Sequence, residues 1–154
     1  MAAYFFDTSA IVKRYADELG SAWVQQITDP ARRNTVYLVR ITEVEVVSAI
    51  TRRLREGKLS PPDAALGMAN FRYDFIHQYR VIEILPGLTS RAASLVQIHG
   101  LRAYDAVQLA AALEINTDRA AAGLSTVTLV SADGALNAAA VAEGLAVDDP
   151  NAHP

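Results

Sequence analysis

Ala3-Tyr4-Phe5-Phe6-Asp7-Thr8-Ser9 is the stretch on which the fold turns. Four apolar residues stop abruptly at three polar ones, and Asp, Thr and Ser are all favoured helix N-caps. An apolar run bounded in this way reads as a buried strand feeding straight into a helix, here over Ser9–Ala16. The same grammar recurs outward along the chain. Gly20–Thr28 carries Trp23, Val24 and Ile27 at helical spacing and stops at Asp29-Pro30. Thr35–Val39 is β-branched and aromatic, a strand. Thr42 opens a helix through Arg55, with Val46, Ala49, Ile50 and Leu54 on one face and Gly57 as its C-terminal stop. Ser60-Pro61-Pro62-Asp63 starts another helix, to about Gln78, since Pro is well placed in a first turn.

Val81–Leu85 reads as a strand halted by Pro86-Gly87, followed by helices over Thr89–His99 and Ala103–Asn116. Thr126–Ser131 is the clearest strand. Ala135–Ala142 is a helix, Leu145–Val147 a last short strand, and Asp149-Pro150 opens a polar tail expected to fray. Strands alternating with helices and helix pairs indicate an α/β sandwich around a mostly parallel sheet. A single domain over residues 1–149, with 150–154 as the tail, is the expected organisation.

Composition agrees and excludes several chemistries. A chain of 154 residues is roughly the length of one domain. It contains no Cys, which removes disulfides, thiolate metal sites and cysteine nucleophiles. With 51% hydrophobic and 20% charged residues it is not a disordered sequence. A net charge of −3 argues against gripping nucleic acid through overall positive charge. The apolar start ends at Asp7, without the basic region of a signal peptide, and no run approaches a membrane span, so a cytoplasmic protein with no membrane partner is expected.

Ligands of open α/β sheets sit beyond the carboxyl ends of the strands. Four acids fall at such places. Asp7 follows the first strand, Asp133 follows Val130-Ser131, Asp105 lies at a helix start after Gly100-Leu101-Arg102, and Glu45 lies in the first turn after Thr42. Each has a structural alternative. Asp7, Asp105 and Asp133 suit caps or first turns, and Thr42-Glu43-Val44-Glu45 fits a capping box in which Glu45 reaches back to Thr42. Four together at strand ends suggest more. Carboxylates held close repel one another, and a hard divalent cation, Mg²⁺ or Mn²⁺, resolves that conflict with oxygen ligands and retained waters. Such a site suits phosphodiester cleavage.

The ordered segments resemble one family. Phe6-Asp7-Thr8-Ser9-Ala10-Ile11-Val12-Lys13-Arg14-Tyr15, Ile41-Thr42-Glu43-Val44-Glu45-Val46-Val47-Ser48-Ala49, Tyr104-Asp105-Ala106-Val107-Gln108-Leu109-Ala110 and Val130-Ser131-Ala132-Asp133-Gly134-Ala135-Leu136 resemble, in order and spacing, the acidic segments of PIN-domain proteins, particularly VapC-type toxins. The resemblance implies a three-layer α/β/α sandwich and a Mg²⁺- or Mn²⁺-dependent endoribonuclease. It also implies an RNA substrate, a cognate antitoxin and a homodimer, with the helices at 42–56 and 60–78 as candidate dimer surface. Its acids map onto Asp7, Glu45 rather than Glu43, Asp105 and Asp133, as catalytic metal ligands. Thr8, Ser9 and Ser131 are polar companions able to orient ligands or waters. The alternative is a non-catalytic PIN-like module that binds RNA or protein, in which the same acids serve as caps and charge pairs.

Other motifs are weaker. The run Arg52-Arg53-Leu54-Arg55-Glu56-Gly57-Lys58 suits a solvated helix C-terminus, although Arg52, Arg53 and Arg102 are candidate phosphate contacts. A haloacid-dehalogenase site would need Asp where Ser9 stands. Gly57-Lys58 lacks the remainder of a P-loop. His77, His99 and His153 have no partner at zinc-ligand spacing and suit surface or packing roles.

Overall fold

A computed structural model describes all of residues 1–154. Five strands, β1 (Ala3–Phe6), β2 (Thr35–Val39), β3 (Arg80–Ile82), β4 (Thr128–Val130) and β5 (Ala146–Asp148), form one sheet in the order β3-β2-β1-β4-β5. Every pairing is parallel. Seven α-helices connect the strands: α1 (Thr8–Ile11), α2 (Ser21–Thr28), α3 (Thr42–Arg55), α4 (Pro61–His77), α5 (Pro86–His99), α6 (Ala103–Ala121) and α7 (Gly134–Ala142).

Alternation along each strand divides the core in two, because successive side chains point to opposite faces. Phe5, Tyr37, Val39 and Leu129 face a layer built from α5, α6 and α7. Phe6, Val36, Leu38 and Val130 face the opposite layer, built from α1 to α4. The result is the expected three-layer sandwich. Its Ala-rich stretch, Ala110-Ala111-Ala112, is wholly buried and lets α6 pack closely. No helix is long and apolar enough to cross a membrane.

Several elements differ from the sequence reading. Pro86-Gly87 does not end a strand that reaches Leu85; β3 stops at Ile82, and Pro86 is the first residue of α5, where its missing N–H is no loss. The helix from Ala103 runs to Ala121 rather than Asn116, since nothing in Thr117-Asp118-Arg119 breaks it. The first helix is one short α-helical turn continued as a 3-10 turn over Val12–Arg14.

The C-terminal residues do not fray. Pro150–Ala152 form a 3-10 turn with Pro150 buried, and His153 stacks on Trp23 at 4.1 Å while bonding Asp148 Oδ1 at 2.7 Å. Gly20 permits this docking. Its φ is +84°, and a Cβ there would lie 2.2 Å from the Pro150 carbonyl oxygen.

Sheet order positions the site. From β1 the chain moves outward through β2 to β3, then returns to the other side of β1 for β4 and β5. The connections therefore diverge between β1 and β4. At that switch point the helices lie on opposite faces and leave a crevice beyond the strand ends.

Candidate active site

Asp7 stands at the carboxyl end of β1, beside the end of β4: its N–H donates to the Val130 carbonyl at 3.0 Å. Its side chain caps α1, accepting from the Ser9 N–H at 3.1 Å and the Ser9 hydroxyl at 2.6 Å. Ser131 Oγ lies 3.4 Å from the same carboxylate oxygen. The two serines also tie the strand ends together. Ser9 Oγ accepts from the Ala132 N–H at 2.9 Å, and Ser131 Oγ from the Asp133 N–H at 3.0 Å. Asp7 is therefore a cap, but an unusual one, with only 4% of its surface exposed. Burial pushes its carboxyl above the ordinary value of 3.8; the Ser9 and Thr8 hydrogen bonds pull it back, and nearby Asp133 adds repulsion.

Glu45 does not act as a capping box. Thr42 is already inside α3, preceded by Ile41 in helical conformation, so no N-cap side chain exists for the glutamate to complement. Instead Glu45 Oε1 accepts from Thr8 Oγ1 at 3.1 Å and from Gln108 Nε2 at 2.9 Å. Burial raises its carboxyl, the Gln108 and Thr8 bonds lower it, and Asp7 and Asp105 raise it further. Glu43 points away to an exposed ion pair with Arg40.

Asp105, in the first turn of α6, is half-buried and makes no cap; its carboxyl is raised by burial, then by Asp133 and Asp7, against a lowering from Arg102. Asp133 caps α7 through the Leu136 N–H at 2.9 Å.

All four acids line one cleft of about 420 Å³, together with Thr8, Ser9 and the cations Arg52, Arg53 and Arg102. Ser131 lies behind them, fully buried. Arg53 is committed to Glu18 at 3.1 Å, and Glu18 also holds the buried Lys13 at 3.2 Å. Arg52 and Arg102 are exposed at the rim.

Gln108 is the residue sequence reasoning missed. It is fully buried, and its Nε2 lies within hydrogen-bond distance of Thr8 Oγ1, Thr42 Oγ1 and Glu45 Oε1. One side chain thus joins α1, α3 and α6 beneath the acids. A signal existed: Gln108 is the lone polar residue among Ala106, Leu109, Ala110 and Leu113, one turn after Asp105.

No group of three or more Asp, Glu or His side chains is gathered tightly enough to form a direct ligand set. The chemistry of the donors decides the fit. They are all hard oxygens, and burial and mutual repulsion disfavour the ionisation of Asp7, Glu45 and Asp105 together, which suits a dication that keeps most of its waters and takes one or two carboxylates directly.

The family model of the PIN domain matches residues 4–142. Ribonuclease VapC45 and Ribonuclease VapC49, from two strains of Mycobacterium tuberculosis, are each 30% identical over 115 residues, covering 75% of this chain and 78% of theirs. Among solved structures, PAE2754 from Pyrobaculum aerophilum superposes with a TM-score of 0.64 at 20% identity, over 98% of this chain and 85% of that one. VapBC2 from Rickettsia felis, bound to a promoter DNA fragment, gives 0.61 at 14% identity over 96% and 98%. These two likenesses show the fold.

Proposed function

The chain belongs to the PIN-domain family, and we propose that within it this protein is a VapC-type endoribonuclease, the toxin of a toxin–antitoxin pair, dependent on Mg²⁺ or Mn²⁺. One observation carries the reading. Four carboxylates from separate parts of the chain line a single cleft at the topological switch point. Three of them are pushed toward protonation by burial. Caps need neither the convergence nor the burial.

Asp7, Glu45, Asp105 and Asp133 would hold the ion. Bound there, it supplies charge compensation for the scissile phosphate and activation of a water for in-line attack. The chain's own residues do the rest. Ser9 and Ser131 fix the Asp7 carboxylate, and Thr8 and Gln108 fix Glu45, so that neither must reorganise when substrate arrives. Arg52 and Arg102 stand where phosphates flanking the cleaved bond would pass. Hydrolysis adds water across one P–O bond, leaving the phosphate on one fragment and a hydroxyl on the other.

Charge then makes sense. With four acids committed to the ion, the remaining acids and the 14 Lys and Arg nearly balance. Without the ion the cleft repels RNA and suits a basic protein segment, the part we assign to the antitoxin. A homodimer belongs to the same reading, through the face on which α4 exposes Leu66, Tyr73 and Ile76.

Cleavage of a mixed RNA pool tests the proposal. Wild-type protein should cleave with Mg²⁺ or Mn²⁺ and stop with EDTA, and Asp7→Asn should be inactive. Equal cleavage by both proteins would overturn it.

A further inference from the structure

The acidic cleft has a neighbour. Glu45 and Arg52 line both the cleft and an adjoining hollow of about 360 Å³. One row of α3, Val44, Ser48 and Arg52, spaced four residues apart, lines the hollow. Tyr104, the residue before Asp105, lines it too, so the first turn of α6 gives a carboxylate to the cleft and a tyrosine to the hollow.

These residues do little for the fold. Tyr104 is 58% exposed and Val44 63%. The tyrosine ring packs against no other aromatic side chain. Arg52 enters no ion pair, whereas Arg53 beside it is held by Glu18. An exposed aromatic ring, a hydroxyl from Ser48 and an uncommitted guanidinium share one hollow that opens into a cluster of acids suited to a phosphate and its cation.

We infer that the hollow is a nucleobase subsite, in which one base of a single-stranded RNA stacks on Tyr104 over Val44 while its phosphate passes Arg52 into the cleft. This rests on the ribonuclease reading and adds to it the part of the substrate gripped beside the cleaved bond. The occupant follows from continuity: the hollow and the cleft share Thr8, Glu45, Ala49 and Arg52, so a chain whose phosphate lies in the cleft carries its neighbouring group past the hollow. A nucleotide pairs a flat π-face with a phosphate in one unit. Aromatic rings stack every base, and Arg meets phosphate. Tyr104 would position the chain rather than react with it.

The test uses the whole protein and fluorescein-labelled single-stranded RNA ten-mers, either intact or with an abasic residue placed at each nucleotide flanking the mapped cleavage bond. Anisotropy gives binding and gel analysis gives cleavage. Tyr104→Ala should weaken binding and raise KM by about ten- to a hundredfold, and Tyr104→Phe should retain both. For wild type, one abasic position should cause the same loss, and in Tyr104→Ala that abasic residue should cost nothing more. Tyr104→Ala with wild-type affinity, or with an undiminished abasic penalty, would overturn the subsite while leaving the nuclease reading intact. RNA bound through Tyr104 but never cleaved would keep the subsite and overturn the nuclease. A protein that neither binds nor cleaves RNA overturns both. If Tyr104→Ala impairs only the hold of a co-expressed protein partner, the hollow takes a protein segment and the inference fails.

Discussion

Asp7→Asn should stabilise the protein while abolishing its activity. The carboxylate is 4% exposed and meets Ser9 N at 3.1 Å, Ser9 Oγ at 2.6 Å and Ser131 Oγ at 3.4 Å. Asparagine has the same shape and caps a helix about as well as aspartate. With its oxygen in place of Oδ2 it still accepts from the Ser9 N–H and the Ser9 hydroxyl, and its amide nitrogen takes the position of the other carboxylate oxygen. What disappears is a charge that burial and Asp133 disfavour.

Folded Asp7 holds its proton more tightly than unfolded Asp7. Stability from this group is therefore full below the ordinary value of 3.8 and is lost as pH rises through the raised folded value. At neutral pH the wild type bears the whole penalty. Relief of such functional strain commonly gains about 0.5–2 kcal/mol. At this length each kcal/mol moves Tm by about 2–4 °C, so the variant should melt about 1–8 °C higher at pH 7 in EDTA. Circular-dichroism melts across pH measure the gap, which should close as pH falls toward 3.8. Millimolar Mg²⁺ should raise the wild-type Tm more than the variant's, because the folded wild type alone keeps the full ligand set. A variant less stable than wild type at pH 7, or a gap independent of pH, would refute the reasoning.

Gln108→Leu should lower RNA cleavage about 10–100-fold, as loss of a ligand-orienting partner does; because the Gln108 bond holds the Glu45 carboxyl down, the acid limb of the pH–rate profile should also move to higher pH. An unshifted profile would show that Gln108 does not set Glu45. Gly67→Ala should destabilise by about 1–3 kcal/mol in urea titrations, since the new Cβ would lie 2.6 Å from the Tyr15 carbonyl oxygen. Gly87→Ala, with nothing within 4 Å, should instead gain up to about 1 kcal/mol from helix propensity.

Much of the architecture was legible because it is written in local patterns. Apolar runs stopped by cap residues marked β1 and β4, and 3.6-residue spacing marked α3 over its full length. Three of the acids that converge were legible for a topological reason: Asp7, Glu45 and Asp133 follow the carboxyl ends of β1, β2 and β4, while Asp105 joins them from the helix start that opens α6. What escaped depends on contacts distant in sequence. Glu45 matches a capping box in its own segment, and contacts far along the chain, with Thr8 37 positions away and Gln108 63 positions away, hold it at the cleft instead. Pro86 reads alike as a strand stop or a helix start until packing against α6 decides. His153 reads as tail until Trp23 stacks on it. The basic run at 52–58 holds two fates that composition cannot separate, Arg53 locked to Glu18 and Arg52 left at the rim.

The central claim is that these four acids act as one metal site, and a crystal soaked in Mn²⁺ tests it most directly. Anomalous density is predicted within the cleft, against Asp7 and at least one of Glu45, Asp105 and Asp133, and absent from Asp7→Asn crystals. A cleft without Mn²⁺, or Mn²⁺ bound identically in both proteins, would contradict it.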